Sequence, residues 1–188
     1  MQEGFSSSCS LRVYRAGPDI CQIRLDFASF SLSQPSSEVR TDSSPNSRTQ
    51  CEEAQFTASS AGPAPPVLCG SNTGYHMILE ASQDWNTLTA SWSPERANNN
   101  YWNILISQIP CGEPWAPPPG CLQFFTGVTG QISSYNFQGG LHLANQLYTN
   151  CIRQEINHCS INYAASDADF QVSLTVWGGG RGGRFLIS

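Results

Sequence analysis

Short runs in which apolar and polar residues alternate dominate this chain, the period-two signature of strands with one buried face. Leu11 and Val13 alternate with Ser10, Arg12 and their neighbours, and Ile23, Leu25 and Phe27 alternate with Gln22, Arg24 and Asp26. The register slips at Ala28-Ser29 and resumes at Phe30 and Leu32, which predicts one long antiparallel strand interrupted by a β-bulge or wide turn. Further strands are predicted over Tyr75–Glu80, Thr87–Trp92, Trp102–Ile109, Leu122–Phe125, Gln131–Tyr135, Tyr148–Arg153, His158–Tyr163 and Phe170–Trp177. Helical periodicity is hard to find, so the expected class is all-β.

Between the runs lie Ser- and Pro-rich stretches at Ser33–Thr49, Ser59–Pro66 and Glu113–Gly120, which read as connections. The last of these predicts a division into a unit over 1–110, a connection over 111–120 and a second unit over 121–177, followed by a flexible Gly/Arg tail over 178–188. Polyproline ligands and an RGG-type RNA segment are the competing readings of the Pro runs and the tail. Charge argues against the second. The 188 residues carry 14 Asp+Glu against 9 basic residues, all arginine, for a net charge of −5, so nucleic acid is not an expected partner. No apolar run approaches the roughly 20 residues of a bilayer span, so no membrane span is expected. Only 12% of the residues are charged, and Ser, Asn, Gln and Thr take the polar positions, as in secreted β proteins.

Eight cysteines, at 9, 21, 51, 69, 111, 121, 151 and 159, form an even set with no C-x-x-C pair. That fits four disulfides and an extracellular site better than zinc or redox chemistry, although Cys151, His158, Cys159 and His142 can be drawn as a metal set. Spacing alone does not choose among the possible pairings. The opening Met1-Gln2-Glu3-Gly4-Phe5-Ser6 lacks the basic and apolar regions of a secretory signal, so the expectation is a piece of a longer or processed secreted precursor.

The series Ile23, Leu25, Phe27, Phe30, Leu32, followed by Cys51 and by Cys69-Gly70, resembles the strand and cysteine pattern of CUB domains, extracellular β-sandwich modules. Leu68–Met77, Gly120–Gly127, His142–Gln146 and Cys151–Arg153 look like arthropod CUB-containing proteins in particular. Gly127, Gly130, Ile132, Ser134 and Asn136 resemble the opening of a second CUB unit, with Tyr135 where the family has proline. The resemblance implies an all-β, CUB-type antiparallel sandwich, jelly-roll-like and stapled by disulfides. The first unit then lacks its start and the second its end. It further implies Cys51–Cys69, and favours Cys121–Cys151 with Cys111–Cys159 over the neighbour pairs Cys111–Cys121 and Cys151–Cys159. Cys9–Cys21 is common to both schemes.

Many CUB domains hold calcium with an aspartate of a C-x-x-D motif, and here that position is Ala54, with Glu53 one residue away. No metal or other cofactor is therefore expected. Chemistry is hardly signalled either. The chain has no G-x-S-x-G turn, no H-E-x-x-H and no phosphate loop, and Glu52-Glu53 point to opposite faces of a strand. Asp167 and Asp169 make the other acidic pair, and His76, His142 and His158 read as structural or surface histidines. The aromatics Trp85, Trp92, Trp102, Phe27, Phe30 and Phe56 are expected in the core, and Trp115, in its proline-rich loop, as an exposed binding residue. The sequence therefore predicts a secreted, non-catalytic module that binds an extracellular protein or carbohydrate. The alternative is an accessory segment of a larger extracellular trypsin-like serine protease.

Overall fold

The computed structural model describes residues 7–38, 48–94, 100–164 and 182–187. Among the described residues the regular structure is eleven strands, with a short 3₁₀ turn at Phe137–Gly139. One sheet has the order β1-β7-β5, from Ser7–Tyr14, Trp85–Trp92 and Ala54–Ala58; a second has the order β6-β2-β8, from His76–Glu80, Ile20–Ser31 and Tyr101–Pro110. All pairings within these two sheets are antiparallel. Two short strands, β3 (Ser36–Glu38) and β4 (Arg48–Gln50), pair inside the Ser-rich connection.

Alternation decides which side chains enter the space between the sheets. From β2 come Ile23, Leu25 and Phe27, from β6 Met77 and Leu79, and from the facing sheet Val13, Phe56, Leu88 and Ala90, all in one buried cluster. Phe56 meets Phe27 and Phe30 edge-on at 6.0 and 5.5 Å, bridging the two sheets. Such pairs contribute about 1 kcal/mol each beyond the area they bury. The slip read at Ala28-Ser29 is a bulge: the β2–β8 register shifts between Phe27 and Ser29, which lets Phe30 turn back into the core after Phe27.

The chain beyond the proline-rich connection packs on the same cluster, through Leu122, Tyr135, Leu143 and Tyr148. It forms a third sheet of order β11-β10-β9, from Gly182–Ile187, Tyr148–Arg153 and Gln123–Phe125, in which β9 and β10 are parallel. Leu122 accepts a hydrogen bond from the Ile78 amide at 2.7 Å, so this segment runs along the free edge of β6. Asn136 fixes the junction. In a left-handed conformation, φ 61°, it accepts from the Ser71 amide at 2.8 Å and donates to Leu141 O and Gln34 Oε1, while its own amide donates to Asn72 Oδ1. Gly70, φ +72°, is required beneath it, because a Cβ there would overlap the Asn136 carboxamide.

Several sequence expectations change. Gln131–Tyr135 and His158–Tyr163 are not strands; the first is held by the Asn136 network and by the Tyr135 hydroxyl, which donates to His76 O at 2.8 Å. The tail is not wholly a free end, since Gly182–Ile187 pairs along β10 from Arg153 to Tyr148. Trp85 is 37% exposed rather than core, with the Arg12 guanidinium 4.6 Å from its ring centre. Phe170–Trp177 lies outside the described residues.

The disulfides are Cys51–Cys69, Cys121–Cys151 and Cys21–Cys111, and Cys9 and Cys159 are exposed free thiols. Neither the Cys9–Cys21 nor the Cys111–Cys159 pairing forms. The bulged antiparallel pairing of β2 with β8 places Ile20 opposite Pro110, which brings Cys21 and Cys111 to a Cα separation of 4.9 Å, whereas Cys9 lies on β1 in the other sheet.

Candidate functional site

A cleft of about 440 Å³ opens where the outer side of the β6-β2-β8 sheet meets the proline-rich connection and the third sheet. Each wall follows from local structure. On β2, Arg24 lies between the inward Ile23 and Leu25, so its guanidinium faces outward, and Asp26 two residues on shares that face. Arg24 donates through Nε and Nη2 to Asp26 at 2.7–3.0 Å. The same spacing recurs across the cleft, where Arg153 at the end of β10 reaches Glu155, Nε to Oε1 at 2.9 Å. Glu155 Oε1 also accepts from the Gly127 amide at 2.7 Å, and this bond, with Arg153 next, holds its carboxyl below the usual range.

The apolar walls are Trp115, Pro117, Phe124 and Phe125, with Ile109 from the end of β8. Trp115 is 50% exposed, so part of its side chain is open to solvent within the cleft. Two covalent ties hold this wall. Cys111, four residues before Trp115, is bonded to Cys21 at the start of β2, and Cys121, two residues before β9, is bonded to Cys151 on β10, where both pack with Ile78 and Phe124. Glu80 adds a third tie by accepting from the Gly120 amide at 2.9 Å while receiving Gln22 Nε2 at 3.2 Å.

His76 lines the floor and meets Phe125 edge-on at 5.2 Å. Its Nε2 accepts from the Phe124 amide at 2.8 Å, which requires a neutral ring and joins β9 to β6. Burial, with the Arg24 charge second, depresses its pKa to about 4 against the opposing pull of Asp26. Because that lone pair is already engaged, His76 is a structural acceptor rather than a base facing a substrate.

Of the residues singled out from sequence, Trp115 lies in the cleft, Cys21, Cys111, Cys121 and Cys151 frame it, and Cys9, Cys51, Cys69 and Cys159 do not line it. Arg24, His76 and Arg153 were not singled out for this role. The signal for the two arginines is the repeated Arg-x-acid spacing, Arg24-Leu25-Asp26 and Arg153-Gln154-Glu155, which in extended chain puts both charges on one side. Ala54, the position matching the calcium aspartate, is 1% exposed and packed in the core, with no oxygen side chain to offer, so these residues do not fit a calcium site there. Millimolar calcium is expected to leave the melting temperature unchanged; a rise of several degrees in differential scanning calorimetry would refute this.

Comparison with known proteins supports the family resemblance in one region. Residues 118–182 match the family model of the animal CUB domain. The match falls on the second of the two sequence units, from the end of the proline-rich connection onward, and Ile23–Leu32 lies outside it. No curated protein and no solved structure gives a significant match to the chain.

Proposed function

We propose that this chain, whose residues 118–182 belong to the animal CUB domain family, is a secreted, non-catalytic interaction module that binds an extracellular protein or carbohydrate through the cleft around Trp115. The supporting observation is the half-exposed Trp115 on a wall tied down by two disulfides and an inter-segment hydrogen bond. An aromatic side chain left open on a rigid support contributes contact area without ordering cost, as binding hot spots do. The ordinary use of CUB domains as extracellular interaction modules agrees with it, and so does the oxidising environment that disulfides require. The proline-rich segment 111–120, the joint between the two sequence units, then forms one wall of the binding site.

The test is a panel of extracellular proteins and glycans presented to the oxidised chain and to Trp115→Ala. The substitution is expected to weaken retention of the partner by roughly tenfold while leaving the melting temperature unchanged, because Trp115 contributes little to the core. Retention indifferent to Trp115 would move the binding surface away from this cleft.

A further inference from the structure

We propose that the cleft takes a carboxylate side chain of a protein partner, an Asp or Glu beside an apolar residue, held by Arg24 and Arg153 against the Trp115 wall. This deepens the reading of the cleft as a binding site and rests on it. The lining is donor-rich. Two guanidinium groups and the Thr126 hydroxyl line it, and none of the described lining residues carries a carboxylate. Each arginine engages its own acid through Nε and Nη2. These bonds use the Nε–Nη2 side of each guanidinium, and both side chains stay partly open to an incoming acceptor, at 33% for Arg24 and 40% for Arg153.

Asp26 and Glu155 hold the two arginines in place in advance, which removes much of the ordering cost that long cationic side chains carry on binding. Planar guanidinium donors suit carboxylates, with charge-assisted bonds about twice as strong as neutral ones. Trp115, Pro117 and Phe125 supply the apolar surface for the residue next to the acid. A saccharide fits less well. Its neutral hydroxyls can accept from the two guanidiniums, but without the charge that makes a carboxylate the stronger acceptor for these donors.

The experiment titrates the oxidised full chain with two synthetic peptides, acetyl-Glu-Phe-Glu-Pro-amide and its Gln-Phe-Gln counterpart, following arginine Nε–H and indole N–H signals by NMR. A glucuronic-acid tetrasaccharide is the third probe. The Glu peptide is expected to bind about tenfold more tightly than the Gln peptide and to shift the Trp115 indole. Arg24→Gln and Arg153→Gln should each remove most of that preference, while Arg12→Gln, on the opposite sheet, should leave it intact. Equal binding of the two peptides, or a preference that survives both cleft substitutions, overturns the proposal. Tighter binding of the tetrasaccharide than of the Glu peptide also overturns it, in favour of an acidic glycan. If Arg24→Gln fails to fold, Arg153→Gln and Trp115→Ala carry the same test. A neutral ligand that still depends on Trp115 would overturn the carboxylate assignment alone and leave the binding module standing.

Discussion

Replacing Cys21 and Cys111 together by serine is expected to destabilise the protein by about 4.5 kcal/mol, the loop-closure cost released in an unfolded chain whose crosslinked residues are 90 apart. Against total stabilities of roughly 5–15 kcal/mol for single domains, such a loss leaves little margin at physiological temperature. The shorter loops closed by Cys51–Cys69 and Cys121–Cys151, with separations of 18 and 30, are each expected to contribute about 1 kcal/mol less. Urea unfolding of the three double variants gives the order directly. The double variant Cys9→Ser and Cys159→Ser serves as the reference, because both thiols are exposed and unpaired, and its midpoint should match the parent. A loss from Cys9→Ser as large as that from Cys21→Ser would instead establish the Cys9–Cys21 pairing. Removing Cys21–Cys111 also frees one end of the segment that carries Trp115, so ligand affinity should fall in the same variant even under conditions where it remains folded.

Acidification should produce the second large effect. The unfolded chain protonates His76 at its ordinary value of 6.5, and the folded chain resists until about 4, so between these values the unfolded state binds more protons. Stability contributed by neutral His76 is therefore complete above about pH 6.5, declines as pH falls through the window, and is gone below about 4. The 2.5-unit difference corresponds to about 3 kcal/mol. His76→Gln keeps an oxygen able to accept the Phe124 amide and does not titrate in this range. The stability difference between parent and variant, measured by urea unfolding at pH 7 and pH 4, isolates His76 from the carboxylates that titrate in the same interval. It should shift by about 3 kcal/mol towards the variant at the lower pH, and parallel pH profiles would contradict the buried neutral role. Because the Phe124 bond joins β9 to β6, the first region to loosen in acid is expected to be the Phe124-Phe125 wall of the cleft.

Strands whose inner faces repeat with period two were legible because each apolar side chain there enters one space between two sheets. Ile23, Leu25, Phe27 and Phe30 illustrate this, and the bulge between Phe27 and Phe30 was visible as a broken alternation. Ala54–Ala58 was not legible: only Phe56 among its side chains is large and apolar, and its pairing with β7 depends on a partner some 30 residues away. Gln131–Tyr135 misled for a related reason. Its Ile132 and Tyr135 suggest a strand, yet Asn136 holds the neighbouring chain through side-chain bonds that replace a ladder. Trp115 could be picked out from its proline-rich surroundings, whereas Arg24 and Arg153 are 129 positions apart and each, taken alone, is an ordinary strand arginine beside an acid.

By itself, then, the sequence determined the all-β class, the course of the long strands, the placement of Phe27, Phe30 and Phe56 in the core and the likeness of residues 118–182 to the animal CUB domain. Each of these depends on local spacing, where period-two geometry and cysteine–glycine neighbours act within a few residues. Tertiary structure alone decided that Cys21 joins Cys111, that Cys9 and Cys159 remain free, and that Gly182–Ile187 pairs with β10. It also decided that two distant arginines and Trp115 share one cleft. These are distance relations between far-separated residues, set by strand order and by which edge of β6 the later chain occupies, and no local pattern encodes either.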